Sequence, residues 1–401
     1  MKVLVVNTGS SSIKYQVFNM DDESVLAKGL LDRVGIPGAV LVHEPQGKEK
    51  VTIQKDRLDH TAGMKLVLDV LTDSLYGCVR SLDEIDAVGH RVVHGGEQFA
   101  DSVVIDDEVK KVVRECFDIA PLHNPPNLMG IEACQALMPG VPHVGVFDTA
   151  FHQTMSPENY MYALPYDDYE QYKIRRYGFH GTSHYFVAHR AAEMLGKPYE
   201  ECKIITIHLG NGSSMEAIKD GRVVDTSMGF TPLEGLVMGT RCGDLDPAIV
   251  YYLMDKRGLD STQINNYLNK KAGVLGISGV SSDMRDIIAA AGDGNPRAQL
   301  ALKIFCNRVK AYIGNYLAKL NGCDCLVFTA GIGENGYDIR ESICADMDWL
   351  GIKMDVEKNK VRGQKIDFAA PDSRVRLLVI PTDEELVIAR DTLRLAKGTL
   401  T

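Results

Sequence analysis

No stretch of the 401-residue chain is apolar for more than a few residues. Val3-Leu4-Val5-Val6 is typical, far short of the roughly 18 residues that cross a bilayer. The same run is too short for the hydrophobic part of a secretory signal, so no leader is expected. Positive charge is not in excess either. With 44 Lys and Arg against 54 Asp and Glu the formal charge is −10, which gives no footprint for duplex nucleic acid or an anionic membrane. The nine cysteines form no CxxC pair, and Cys323-Asp-Cys325 has no second pair to complete a metal or redox site. Reduced, mostly buried thiols and a cytoplasmic location are expected. His180 and His184 are spaced like zinc ligands on a helix, with His189 nearby. However, Gly181 follows the first directly and no HExxH glutamate accompanies them, so metal ligation there is not expected. A GxxxxGK[ST] sequence is missing, which excludes a P-loop.

What is present is ordinary globular material. Apolar residues make up 45% and charged residues 24%, enough for a sizeable core, and the length predicts two or three domains. Residues 2–6 read as a strand ending in Asn7-Thr8-Gly9-Ser10-Ser11-Ser12, and the alternation of Ile13–Phe18 predicts a returning strand. The design recurs. A strand over 203–207 runs into His208-Leu209-Gly210-Asn211-Gly212-Ser213-Ser214, followed by a strand over 215–218, an Asp220-Gly221 hairpin signal and a strand over 222–225. Gly9-Ser10-Ser11 and Gly212-Ser213-Ser214 superimpose at an offset of 203, which points to a duplicated domain with a boundary near residue 150.

Between these hairpins, 61–76 predicts a helix with Met64, Val67, Leu68, Leu71 and Leu75 on its apolar face and Gly77 as its stop. Asn295-Pro296 opens a longer helix that Gly322 ends, striped by Phe305, Val309, Tyr312, Tyr316 and Leu320. Strands near 144–147, 325–329 and 376–379 complete an alternating α/β pattern, and 121–126 reads as a rigid Pro-rich loop.

Small polar hairpin tips expose backbone N–H groups and hydroxyls suited to phosphate oxygens, and the first tip adds Lys14 as a flexible point charge. A third loop, Ala330-Gly331-Ile332-Gly333-Glu334-Asn335-Gly336, follows a strand and matches GxGxxG, with Asp355 after a further apolar stretch. A dinucleotide-binding dehydrogenase is therefore a competing reading, although the 65 residues that follow leave little room for such a domain.

The segments Val5–Lys14 and Gly89-His90-Arg91-Val92-Val93-His94-Gly95-Gly96 resemble the two signature segments of acetate kinases. His180-Gly181-Thr182-Ser183-His184, His208–Gly212, Gly239-Thr240-Arg241-Cys242-Gly243-Asp244, Thr329–Asn335 and Thr382-Asp383-Glu384-Glu385 resemble further members of that pattern, in order from residue 2 to beyond 385. The resemblance implies an α/β protein of two duplicated actin-like, ribonuclease H-like domains with a cleft between them. Residues 1–149 plus 385–401 would form the acyl-substrate domain, to which the C-terminal helix returns. Residues 150–384 would form the domain for nucleotide binding and dimerisation. The implied reaction is reversible transfer of the ATP γ-phosphoryl group to acetate, giving acetyl phosphate and ADP, in a homodimer. Mg2+ is the implied ion, with Mn2+ as a substitute.

By the same resemblance Arg91 holds the carboxylate, Arg241 and His180 neutralise the transferring phosphoryl oxygens, and Asp148 is an active-site acid or base. Acetate is already ionised at neutral pH, so Asp148 is expected instead to orient Arg91 or a magnesium-bound water. Asn7 and Glu384 would hold magnesium; alone, Glu384 reads as a carboxylate at a helix N-terminus. Nucleotide contacts carry over to Lys14, to His208, Leu209, Gly210, Asn211 and Gly212, to Asp283, Met284 and Arg285, and to Gly331, Ile332, Gly333, Glu334 and Asn335. Taken alone, Asp283 to Arg285 reads as an exposed turn. Val93, Leu122, Phe179 and Pro232 would line the methyl pocket, though each also reads as ordinary core. Actin-like filament proteins and chaperone ATPases are a third class with the same fold, and fold does not fix function.

Overall fold

The first hairpin forms where the alternation places it. β1 (Lys2–Thr8) pairs antiparallel with β2 (Ser12–Asn19), with Asn7 opposite Lys14 and therefore on one face of the sheet. Two antiparallel neighbours extend this edge through β3 (Ser24–Asp32) to β4 (Ala39–Pro45), and β5 (Val51–Lys55) closes it. On the other side β1 pairs in parallel with β6 (Ala87–Val92), and β6 in parallel with β8 (His143–Phe147), which carries the short antiparallel β7 (Val103–Val104). Parallel strands buried on both faces need continuous apolar sequence, as Val3–Val6 and Val144–Phe147 supply.

The computed structural model describes residues 1–399, which fall into two compact units. One comprises Met1–Phe151 with the segment from Asp383 onward, and the other is His152–Thr382. The second unit repeats the topology of the first. Its sheet runs β11 (Arg222–Thr226), β10 (Ser213–Lys219), β9 (Lys203–Leu209), β12 (Cys325–Thr329), β14 (Arg376–Val379), β13 (Ile366–Asp367). The pairings are antiparallel, antiparallel, parallel, parallel, antiparallel, in the same sequence as β3-β2-β1-β6-β8-β7. The duplication read from two Gly/Ser tips therefore extends to six strands.

In the first unit helix Glu384–Thr399 packs Ile388 and Ala389 against Val3, Val5, Val144 and Val146. Gly89 permits this approach: a Cβ there would lie 2.7 Å from Ile388 Cγ2. In the second unit Pro296–Leu320 is the long helix that Asn295 predicts. The Asn295 side chain caps Arg297 and Ala298, and Phe305, Val309, Tyr316 and Leu320 are buried against the sheet.

Three local expectations are corrected. The first helix spans His60–Leu71 and stops six residues before Gly77, because the Asp73 carboxylate accepts the Leu75 and Tyr76 N–H groups and turns the chain; Leu75 is exposed. The stretch 121–126 is a loop only in its first half, since helix Asn124–Leu137 begins inside it with proline in the first turn, where its missing N–H costs nothing. The loop at 330–336 is itself a turn and a half of helix, Ala330–Asn335, followed by helix Tyr337–Cys344. Among the described residues no helix is long and apolar enough to cross a membrane.

Candidate active site

In the first unit the candidate residues lie at the C-terminal ends of the parallel strands, where α/β sheets usually bind their ligands. Arg91 is the penultimate residue of β6 and Asp148 directly follows β8. The strand register sets them side by side, with the Asp148 N–H bonded to Val92 O at 3.0 Å. The guanidinium is bidentate to the carboxylate, Nε to Oδ1 at 2.9 Å and Nη2 to Oδ2 at 2.6 Å. This uses two of its five N–H groups. Glu384, the first residue of the C-terminal helix, lies 4.0 Å from Arg91 Nε. Its proton affinity is pushed up to about 7, chiefly by burial and further by Asp148 and Glu385, while Arg91 and Lys14 oppose the shift. Lys14 reaches across from β2 to an ion pair with Glu385, and Asn7 stands opposite Lys14.

Two residues not singled out in the sequence hold this framework. The Asn127 side chain accepts the Val93 N–H at 3.0 Å and donates to Thr8 O at 2.7 Å. Asn124 accepts the His94 N–H at 3.1 Å and donates to His94 O at 2.9 Å. Both project from the first turn of helix Asn124–Leu137; Asn127 locks the chain after β6 to the end of β1, and Asn124 ties the same chain to the helix. The sequence signal was two asparagines three apart in a helical turn, which the Pro-rich reading hid.

In the second unit His180 caps helix Gly181–Leu195 with φ 60° and ψ 23°, a left-handed conformation uncommon for a residue with a side chain. His180 Nδ1 is 2.8 Å from Ser214 Oγ, and its ring stacks on His208 at 4.1 Å between centroids. Arg241 bonds only neutral groups, Pro232 O at 3.1 Å and Met238 Sδ at 3.6 Å, and has no acidic partner among the described residues. Burial lowers its proton affinity, which any anion at that position would offset. The absent side chain of Gly212 leaves the space these groups share, since a Cβ there would lie 3.5 Å from both Arg241 Nη1 and His180 Nε2. His189 stacks instead on Tyr199, at 3.9 Å.

Next to this turn is a cavity of about 820 Å³, within the usual range for small-molecule sites. Gly210, Asn211, Asp283, Met284, Arg285, Gly331, Ile332, Asn335 and Gly336 line it, together with Ser282, Ile288, Asp338 and Arg362, to which the sequence gives no pointer. Asp283 is no bare turn. It caps helix Met284–Gly292 and pairs with Arg285 at 2.5 Å, which holds its carboxyl at about 2. Leu209 lies in the core rather than on the cavity wall. The Glu334 carboxylate accepts the backbone N–H groups of Ala330 at 2.8 Å and Thr382 at 3.1 Å. Val93, buried, and Leu122, exposed, belong to the first unit; Phe179, buried, and Pro232 belong to the second.

The class to which this fold and these residues belong is shown by comparison with known proteins. The sequence model of the Acetokinase family matches residues 2–390, and the chain belongs to that family. It is 74% identical over 397 residues to the acetate kinase of Syntrophomonas wolfei subsp. wolfei, covering 99% of this chain and 100% of that one. Among solved structures it is similar to Porphyromonas gingivalis acetate kinase, with a TM-score of 0.94, 51% identity and coverage of 98% and 99% of the two chains. A propionate kinase from Francisella tularensis subsp. tularensis follows at a TM-score of 0.92 and 40% identity, with the same coverage.

Proposed function

We propose that this chain catalyses the reversible transfer of the ATP γ-phosphoryl group to acetate, giving acetyl phosphate and ADP. The observation that carries the reading is Arg241, a half-buried guanidinium with only neutral partners, beside His180 at the Gly212 turn and next to a cavity of nucleotide size. Phosphoryl transfer needs charge neutralisation and positioning more than covalent chemistry, and an uncommitted guanidinium supplies the first. Arg241 and His180 face the phosphoryl oxygens, and the glycine-rich turns and Asp283–Arg285 hold the nucleotide.

Arg91 takes the substrate carboxylate through the N–H groups that Asp148 leaves unused. The bidentate contact with Asp148 supports an orienting role for that carboxylate, which fixes the guanidinium while the ionised acid needs no base. An acetate oxygen attacks the γ-phosphorus as the bond to the β,γ-bridging oxygen breaks, and the electron pair leaves with ADP. Val93, Leu122, Phe179 and Pro232 are the proposed surroundings of the methyl group.

Asn7 and Glu384 are hard oxygen donors, and Glu384 is a carboxyl crowded by Asp148 and Glu385, a setting that a dication relieves. No three His, Cys, Asp or Glu side chains among the described residues are grouped to hold a metal alone, whereas magnesium is commonly held by one or two carboxylates plus substrate phosphates. These residues fit Mg2+, or Mn2+ in its place, and the bound ion would neutralise phosphate charge. We further propose a cytoplasmic homodimer. All nine cysteines are free thiols, which suits a reducing compartment, and helix Ala248–Arg257 buries none of its side chains while exposing Ile249, Tyr251 and Tyr252.

The test is incubation with Mg-ATP, acetate and hydroxylamine. An acyl phosphate is trapped as hydroxamate, an ATPase of the filament or chaperone kind yields phosphate without hydroxamate, and a dehydrogenase yields neither.

A further inference from the structure

We propose that Ser214, set by His184 and Glu216, fixes the tautomer of His180 so that the neutral imidazole carries its hydrogen on Nε2 and offers it to the transferring phosphoryl group. The inference rests on the phosphotransfer reading above, and it makes Ser214, His184 and Glu216 positioning residues.

The Ser214 hydroxyl lies between two imidazoles, 2.8 Å from His180 Nδ1 and 2.7 Å from His184 Nε2. A hydroxyl has one hydrogen, so it donates to one ring and accepts from the other. Which way this runs is decided at His184. That ring projects from helix Gly181–Leu195 and is fully buried against Thr206 of β9 and Ser214 of β10. Burial, with His208 and His152 nearby, keeps it neutral with a single N–H. Its Nδ1 is 2.7 Å from Thr206 Oγ1, a group that donates as readily as it accepts. Its Nε2 lies 3.9 Å from Oε1 of the fully buried Glu216, the oxygen that also bonds His152 Nε2. Burial raises the proton affinity of Glu216 and His152 opposes the shift. A carboxyl has at most one hydrogen and cannot donate to two imidazoles. With His152 bonded to Oε1, the lone pairs of that oxygen favour hydrogen on the His184 nitrogen that faces it. His184 then carries its proton on Nε2 and donates to Ser214. Ser214 donates in turn to His180 Nδ1, and the proton of neutral His180 is left on Nε2.

That nitrogen and Arg241 Nη1 each lie 3.5 Å from the vacant Cβ position of Gly212, so both donors border one space. The stacked His208 has its own hydroxyl partner, its Nδ1 lying 2.8 Å from Ser183 Oγ. Run in the opposite sense, the chain would turn a lone pair of neutral His180 toward an anion. The ring would then donate there only as imidazolium, and would lose that ability as pH rises through the usual histidine range near 6.5.

The experiment is nitrogen NMR of the whole enzyme with 15N-labelled histidine, the His180 signals being identified by their loss in His180→Gln. In the wild type at pH 8 the expected pattern is a protonated Nε2 and an unprotonated Nδ1; the reverse pattern overturns the proposal without reliance on any relay variant. In Ser214→Ala the Nε2–H form should give way to a mixture, with kcat falling about 10–100-fold, as for other partners that orient a functional histidine. The KM for ATP should change little, and kcat should decline between pH 6 and 8 in a way the wild type does not. Ser214→Thr should restore both the tautomer and the pH profile. Retention of the pure Nε2–H form in Ser214→Ala and in Glu216→Gln would overturn the relay. An enzyme that shows Nε2–H but makes no acyl phosphate would overturn the function and leave the relay; an active enzyme with Nδ1–H would do the opposite.

Discussion

Arg91 and Asp148 meet side-on across neighbouring parallel strands, with contacts of 2.9 and 2.6 Å between guanidinium and carboxylate. The pairing determines how each should respond to substitution. Arg91→Ala should abolish phosphotransfer while leaving ATP binding nearly intact, since loss of a buried charged contact costs about 2–5 kcal/mol. Calorimetry on the folded variant checks this, and an equal loss of ATP affinity would move Arg91 out of the acyl site.

Glu384→Ala should fail through the metal. Raising the magnesium concentration should partly restore its activity, because weaker coordination shifts the concentration required. A variant inactive at every magnesium concentration, yet binding Mg-ATP normally, would contradict this role.

Gly89→Ala places a methyl group 2.7 Å from Ile388 Cγ2 and pushes on the helix that begins with Glu384. Overpacking of this kind costs about 1–3 kcal/mol, read as a lower urea midpoint, and should raise the magnesium requirement as Glu384 shifts. Unchanged stability would show that the helix yields freely at Ile388.

Much of this was legible because it is local. The two hairpins announced themselves by alternation and by small polar tips, and Asp148 by its place after an apolar run. Asn124 and Asn127 were hidden because their partners, His94, Val93 and Thr8, are distant in sequence and only the folded sheet brings them together. Arg362 joins the cavity of Gly210 and Asp283 for the same reason. The helix beginning at His60 outran its true end in the reading because Leu75 fits the helical period. Asp73 decides the matter by bonding the backbone two and three residues ahead, a choice that apolar periodicity does not record.

His90 Nε2 and His143 Nδ1 lie 2.9 Å apart in the core, and burial lowers the proton affinity of both, to about 4 for His143. Their folded values lie below the unfolded value near 6.5, so the unfolded chain binds more protons between these limits. Stability is therefore full above about pH 6.5 and falls as pH drops toward 4. The urea midpoint should decrease from pH 7.5 to pH 5, and by less in His143→Gln, which cannot ionise. An identical decrease in the variant would remove His143 from this account.

Val93→Ala should raise kcat/KM for propionate relative to acetate by roughly ten-fold, since one methylene in an apolar pocket is worth about 1–3 kcal/mol. Val93 is buried, so trimming it carries some cost in stability, while ATP parameters should change little. An unchanged ratio in a folded, active variant would mean that Val93 does not border the acyl group.

The central claim is that a carboxylate oxygen of acetate attacks the γ-phosphorus directly, and isotope labelling tests it most directly. With acetate carrying 18O in both oxygens and unlabelled Mg-ATP, the acetyl phosphate formed should hold 18O in its bridge to phosphorus, visible as an isotope shift in its 31P signal. Release of unlabelled phosphate and ADP, with no acyl phosphate carrying the label, would contradict it.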